Sequence, residues 1–415
     1  MQLTLKEQEV CAKLVGRGDE LVSRAVQWCA VNSGSRNRAG LDRQLAMLIE
    51  AFGVLPGELE RVPLRATDEV GADGQTRGFH HPDALRVTVR PQASLQVVLT
   101  GHYDTVYPAE TAFQSVRVRE DGALWGPGIA DMKGGLSIML GALEAFEAHP
   151  FSERVGYVVL LSPDEEVGSP ASAGLLAEVA KRGHIGMTYE PCMPDGALAG
   201  ARKGSGNFHL AFKGREAHAG RDFASGRNAL AAAAEVAAAL HGLNGLRDEL
   251  TLNIAKIDGG GALNVVPGRA VLRFNVRAPD GGAADWLLER LESIVERAVG
   301  TEVSVDAHGG FSRPPKPMNG AQQRLLEAVR DVGALLGQSI SWRSSGGVCE
   351  GNNLFAAGLP NIDTLGVRGG DIHSEDEYAW PQSFPERATL SATLLMKVAS
   401  GEVDARSIRA LNQVL

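Results

Sequence analysis

Between residues 204 and 307 the hydrophobic rhythm spells a β-α-β-β-α-β order, set inside a longer chain of alternating strands and helices. Phe208, Leu210 and Phe212 alternate with His209, Ala211 and Lys213, the period-two signature of a half-exposed strand. An alanine-rich helix at 228–240 follows, then strands at 250–257 and 270–277, a helix at 284–299 and a strand at 302–306. That order is a complete ferredoxin-like α+β unit, so the segments on either side of it must meet to form one larger domain. The proline-rich stretch SRPPKP at 312–317 reads as the return linker. The expected division is 204–311 for the insert, with 1–203 and 312–415 forming a discontinuous domain.

The flanking segments read as α/β. Helices are expected at 5–15, 20–31 and 41–52, then strands at 84–89 and 95–100, a helix at 133–148 and a buried strand at 156–161 (GYVVLL). A helix at 172–181, a strand at 184–189, a helix at 321–336, a strand at 361–365 and a helix at 386–399 complete the order. Such a sheet is covered on both faces. Hydrophobic residues at 44% supply the cores without staples. Cys11, Cys29, Cys192 and Cys349 are far apart and form no CxxC pair, which argues against a disulfide framework or a thiolate zinc site. The formal charge of −9 argues against a nucleic-acid surface or a polybasic membrane patch. Residues 1–7 carry no basic segment leading into an apolar one, so no signal peptide is read. The longest apolar stretch, 229–240, is broken by Glu235 and is too short to span a bilayer. A cytoplasmic location is expected.

Five polar segments each follow a predicted strand or open a helix, and each carries a metal-ligand type. They are His102 with Asp104, Asp131, Glu165-Glu166, Glu190 and His373. In open α/β sheets ligands gather at the carboxyl ends of strands. Two imidazoles and three carboxylates converging there suit Zn²⁺, with Mn²⁺ or Co²⁺ as substitutes. Each segment alone is a weak signal; their ordered combination is not.

With the inserted unit, the stretches GHYDTVYP (101–108), GPGIADMKGG (126–135), SPDEEVGS (162–169) and GREAHAG (214–220) carry a resemblance across essentially the whole chain. The sequence resembles the di-zinc metallopeptidase family of glutamate carboxypeptidases, aminoacylases, acetylornithine deacetylase and succinyl-diaminopimelate desuccinylase. ADMKGG, DEEVGS and ARKGSG are similar to the glutamate carboxypeptidase branch. The resemblance implies a zinc-peptidase-type catalytic domain with an inserted lid that also dimerises. It implies two zinc ions bridged by Asp131, one also held by His102 and Glu190, the other by Glu166 and His373. Asp104 would hold the His102 imidazole, Glu165 would serve as general base, and the Asp131–Met132 peptide would be cis.

The resemblance also assigns substrate contacts. His218 would reach the active site of a partner subunit and polarise the scissile carbonyl, and Asn264 and Arg277 would touch substrate. Arg277 offers a planar fork for a carboxylate, although a solvent-facing role on its strand competes. Lys203 can add charge near that carboxylate, and the Ser345-Gly346-Gly347 turn can cradle an anion through its N–H groups. Relatives usually carry a Ser-Asp or Thr-Asp pair after such glycines, whereas Cys349 and Glu350 stand here. The expected activity is metal-dependent hydrolysis of N-acyl or N-peptidyl amino acids with a free carboxylate, acting on a small molecule or short peptide as a homodimer. An aminopeptidase or dipeptidase of the same fold, and a non-catalytic amino-acid-binding relative, are the competing readings.

Overall fold

The computed structural model describes residues 1–300 and 302–412. Three helices open the chain, α1 (Leu5–Val15), α2 (Gly18–Cys29) and α3 (Arg38–Phe52). Strands β1 (Glu58–Val62), β2 (Ala84–Val89) and β3 (Leu95–His102) follow, then α4 (Gly134–Glu147), β4 (Val155–Ser162), α5 (Ala173–Arg182) and β5 (Ile185–Thr188). The insert contributes β6 (Gly204–Lys213), α6 (Ala229–His241), β7 (Thr251–Gly259), β8 (Arg269–Ala278), α7 (Gly281–Val299) and β9 (Ser304–Arg313). The chain returns through α8 (Gly320–Leu335), α9 (Glu350–Ala356), β10 (Asn361–Ile362), α10 (Ser383–Ser400) and α11 (Ala405–Leu411).

The larger sheet has the order β1-β2-β4-β3-β5-β10. β4, β3, β5 and β10 run parallel, and β2 and β1 add antiparallel strands at one side. Every residue of β4 is buried, as a parallel strand with helices on both faces requires. α4 is apolar almost all round and is buried nearly throughout, so it packs beneath the sheet rather than on the surface. Gly135 lets it come that close, since a Cβ there would lie 2.0 Å from the Tyr189 carbonyl oxygen. On the opposite face, Leu176, Val179 and Ala180 of α5 and Leu354 of α9 pack on Ala84, Val98, Val158 and Leu160.

The insert's sheet has the order β7-β8-β6-β9, antiparallel throughout. Phe208, Leu210, Phe212, Leu272 and Phe274 turn inward against α6 and α7 and form a core of their own. Their neighbours His209, Arg273, Asn275 and Arg277 therefore share the opposite face. Onto that face leans a hairpin, Thr67–Val70 paired with Thr76–Phe79, whose Val70 carbonyl accepts from Arg273 Nη2 at 3.0 Å.

The mixed α/β fold with its βαββαβ insert is as expected, and most helices and long strands fall within a few residues of the predicted bounds. Sequence reasoning missed β1, the hairpin and α9. β1 (ELERV) is an edge strand with few apolar residues, and α9 (EGNNLFA) carries a glycine and two asparagines, poor helix formers, in its first turn. β9 is expected to end at 306, but the strand continues through Gly309 and Gly310, both at positive φ, to Arg313.

Candidate active site

Three neighbouring parallel strands deliver the expected ligands at their carboxyl ends. β3 ends on His102, β4 runs into the Asp164–Glu166 turn, and Glu190 lies two residues beyond β5. Asp131 comes from the turn before α4 and His373 from the loop before α10. His102 Nε2 lies 3.1 Å from Asp131 Oδ1 and 3.7 Å from Glu190 Oε1. On the other side, His373 Nε2 lies 3.3 Å from Asp131 Oδ2 and 3.1 Å from Glu166 Oε2. The two oxygens of Asp131 are thus divided between two clusters, in each of which the donor atoms fall within 4.8 Å of one another.

The electrostatics of the clusters suit a cation. Burial pushes the Glu190 carboxyl up to about 8, with the Asp131 charge adding to the effect. Burial and Asp131 likewise drive Glu166 well above the usual carboxylate range. Burial opposes a charged His102, yet Glu190, Asp104 and Asp131 hold that ring well above its ordinary value. Hydrogen bonds to Asp131 and Glu166 raise His373 to about 11. So concentrated a set of buried carboxylates calls for positive charge at this point, which divalent cations would supply. Glu166 Oε1 and Glu190 Oε1 are buried with no hydrogen-bond partner among the described residues. Glu190 Oε1 faces His102 Nε2, and the other oxygen of Glu166 faces His373 Nε2; buried carboxylate oxygens left without partners beside imidazole nitrogens suit a metal site, so the residues fit such a group.

Other side chains hold the expected ligands in place. The backbone carbonyl of Asp104 lies 3.0 Å from His102 Nδ1 and its Oδ1 lies 3.3 Å away. The same carboxylate accepts from the amides of Glu165 and Glu166 and from Ser35 Oγ, tying three segments together. Glu377, which sequence reasoning missed, accepts from the amides of Gly128, Ala130 and Asp131 and from the Tyr107 hydroxyl. It braces the Asp131 turn, and Tyr107 also donates to the Ser374 carbonyl beside His373. The signal for Glu377 was available, since it lies four residues beyond His373 in HSEDE. The Asp131–Met132 peptide is cis, as the resemblance implied. Asp371 and His373 both adopt positive φ without being glycine, a conformation that persists where surrounding structure imposes it.

Both clusters open into a cavity of about 620 Å³ at the junction with the insert, lined also by Glu165, Arg202, Asn275, Arg277 and Arg313. Glu165 stands outside the two clusters and is ion-paired with the buried Arg313 at 2.7 Å. Arg277 is half-buried, and its Nη1 has no partner among the described residues. Lys203 does not reach this cavity; its Nζ donates to the Glu249 carbonyl at 2.7 Å. Side chains alternate along a strand, so the preceding residue, Arg202, faces inward instead and pairs with the buried Asp363 at 2.7 Å. Gly347 lines the cavity, but its N–H already donates to Ser345 Oγ and its carbonyl accepts from Arg202. Cys349 caps α9 through its sulfur, and Glu350 turns away from the cavity toward Ser162. His218 and Asn264 lie exposed on a small ribbon of the insert, outside the cavity of their own chain.

Comparisons with known proteins bear on the family and the fold. The profile of "Peptidase family M20/M25/M40" matches residues 98–397. Carboxypeptidase G2 of Pseudomonas sp. (strain RS-16) is 27% identical over 321 residues, covering 76% of each chain. A succinyl-diaminopimelate desuccinylase of Acinetobacter baylyi is 30% identical over 301 residues, covering 68% of this chain and 76% of the relative. In three dimensions, a tripeptidase from Staphylococcus aureus superposes with a TM-score of 0.69 at 21% identity, over 92% of this chain and 99% of that one. With 300 residues matched in order and two carboxylate–imidazole clusters assembled in space, this chain belongs to peptidase family M20/M25/M40, a family of metal-dependent hydrolases.

Proposed function

We propose that this hydrolase cleaves the amide bond of N-acyl or N-peptidyl amino acids that retain a free carboxylate. Arg277 carries the reading. Its guanidinium shares a cavity with both ligand clusters and Glu165, yet one of its nitrogens is buried and unpartnered. Burial alone lowers its pKa, with no counter-anion to compensate. A substrate carboxylate in the planar fork would satisfy it.

In this reading His102, Asp131 and Glu190 hold one divalent ion, and Asp131, Glu166 and His373 hold a second, zinc by preference. Such a pair, when bound, supplies Lewis acidity and brings the pKa of water toward about 7. Glu165 takes the proton of the attacking water on its carboxylate and delivers it to the nitrogen of the leaving amine. Asp104 accepts from His102 Nδ1–H and so keeps the Nε2 lone pair free as a ligand. Arg277 fixes the substrate by its carboxylate and sets the distance from that group to the scissile amide. Two copies pair through the insert, bringing His218 and Asn264 of one copy toward the cavity of the other, where His218 donates to the carbonyl oxygen as charge develops. The exposure of both residues on one ribbon supports that arrangement. Four buried free cysteines fit a reducing cytoplasm, and no helix of the described residues is long and apolar enough to cross a membrane.

The test is a panel of N-acyl and N-peptidyl amino acids, glutamate derivatives included, with their methyl esters and with peptides bearing free α-amino groups. Arg277→Ala is expected to raise KM on the free acids by roughly tenfold or more and to leave the esters unchanged. Faster hydrolysis of substrates with a free α-amino group than of acylated ones would instead favour an aminopeptidase or dipeptidase.

A further inference from the structure

The linker SRPPKP at 312–317 reads in the sequence as a return path, yet it carries one of the largest fully buried side chains of the protein, Arg313. This arginine is the last residue of β9, paired with Ser205 at the base of the insert's sheet, just beyond an irregularity that leaves Ser312 out of register. Pro314 follows it and restricts its backbone to extended conformations. Both terminal nitrogens are engaged. Nη2 donates to the Glu165 carboxylate at 2.7 Å and to the Glu165 carbonyl at 3.2 Å, while Nη1 donates to Asn353 Oδ1 at 2.5 Å. Glu165 is the one carboxylate within ion-pair distance of Arg313 among the described residues. Arg277 differs in this respect, because its free nitrogen leaves it open to a ligand.

The anchorage behind Arg313 is extensive. Asn353 Nδ2 donates to the Ser312 carbonyl, and its neighbour Asn352 donates to the carbonyls of both Lys203 and Pro314. α9 therefore clamps both strands that join the insert to the larger domain. Arg202 and Lys316 exchange backbone hydrogen bonds across the same hinge, and both side chains bond the buried Asp363.

We infer that Arg313 is a positioning residue for Glu165: from the hinge of the insert, braced by Asn353, it sets the rotamer of the base and keeps its carboxylate facing the two clusters. Resting on the reading of Glu165 as the base, the inference adds that Arg313 acts through Glu165 and not on substrate. One guanidinium nitrogen bonded to both the carboxylate and the carbonyl of the same glutamate, with the other nitrogen anchored on Asn353, fixes geometry as well as charge. Catalytic geometry held only loosely is costly, so loosening this grip slows the proton transfer without weakening substrate binding.

The test compares Arg313→Ala, Arg313→Lys and Asn353→Ala in the metal-loaded protein, on the panel substrate that turns over fastest. Arg313→Ala is expected to lower kcat by about 10- to 100-fold with KM changed by less than about threefold. Arg313→Lys restores part of kcat, and Asn353→Ala, which lies off the cavity, lowers kcat in the same sense but less. In a Glu165→Gln background Arg313→Ala costs less than about threefold more, because residues acting as a unit are not additive. Hydrogen exchange supplies a readout independent of turnover: amides of the 164–169 turn exchange faster in Arg313→Ala, while those of 128–133 do not. A rise in KM with kcat intact, or a full multiplicative loss in the Glu165→Gln background, would make Arg313 a substrate ligand and overturn the inference. Unchanged exchange in the turn would overturn it as well. Absence of turnover on every panel member would sink the hydrolase reading, and the exchange experiment would still decide the Arg313–Glu165 linkage.

Discussion

Glu350 is a buried carboxyl, and its burial makes a quantitative prediction. The side chain is fully buried at the start of α9; one oxygen accepts from Ser162 Oγ, and Oε2 has no partner among the described residues. Burial raises its pKa to about 8 from an ordinary 4.5, against the pull of Ser162 and Arg313. Between those two values the folded protein holds a proton that the unfolded chain has released. Stability contributed by this carboxyl is therefore fully present below pH 4.5 and is lost as pH rises through 8. Each pKa unit corresponds to about 1.4 kcal/mol, so the loss across the window is of order 4–5 kcal/mol. Glutamine has nearly the same shape and cannot ionise. In chelator-treated protein, urea melts followed by tryptophan fluorescence at pH 5, 6.5 and 8 should show Glu350→Gln close to the parent at pH 5 and increasingly more stable above it. Glu190 and Glu377, also raised by burial, add to the parent's slope but cancel in the comparison. A variant less stable than the parent at pH 8 would mean that Glu350 is ionised and held by Arg313, and the reasoning would fail.

Three further outcomes follow from the geometry. Glu165→Gln should lower kcat by about 10²- to 10⁴-fold while bound metal, measured by elemental analysis, stays at the parent's level, since Glu165 belongs to neither ligand cluster. Asp363→Ala leaves the buried cations of Arg202 and Lys316 without their shared carboxylate and should cost about 3–5 kcal/mol in a denaturant melt. Gly135→Ala forces a methyl group against the Tyr189 carbonyl and should destabilise by about 1–3 kcal/mol or more, seen as a lower Tm.

Legibility in the sequence followed the kind of signal each residue carries. The long strands and helices announce themselves by apolar periodicity, and β4 and α4 by continuous apolar runs. The residues expected as ligands were legible because each follows a strand end in a short polar motif, and the structure brings all five together. Residues that act by burial were not legible. Arg313 sits in a proline-rich stretch that reads as linker, and nothing local distinguishes a buried arginine from a solvated one. Glu377, Asp363 and Arg202 derive their roles from partners far away in the chain, at Asp131, Lys316 and Gly347. Lys203 misled for a simple reason: a one-residue shift along a strand exchanges inside for outside.

We propose that the two clusters sharing Asp131 make a two-metal amide hydrolase selective for a free carboxylate. The most direct measurement is a Zn²⁺ titration of chelator-stripped protein, following hydrolysis of an N-acyl amino acid beside its methyl ester. The expected result is no hydrolysis before metal is added, activity that reaches its plateau at two ions per chain, and a strong preference for the free acid. Activity in the stripped protein, a plateau at one ion, or equal rates on acid and ester would contradict it.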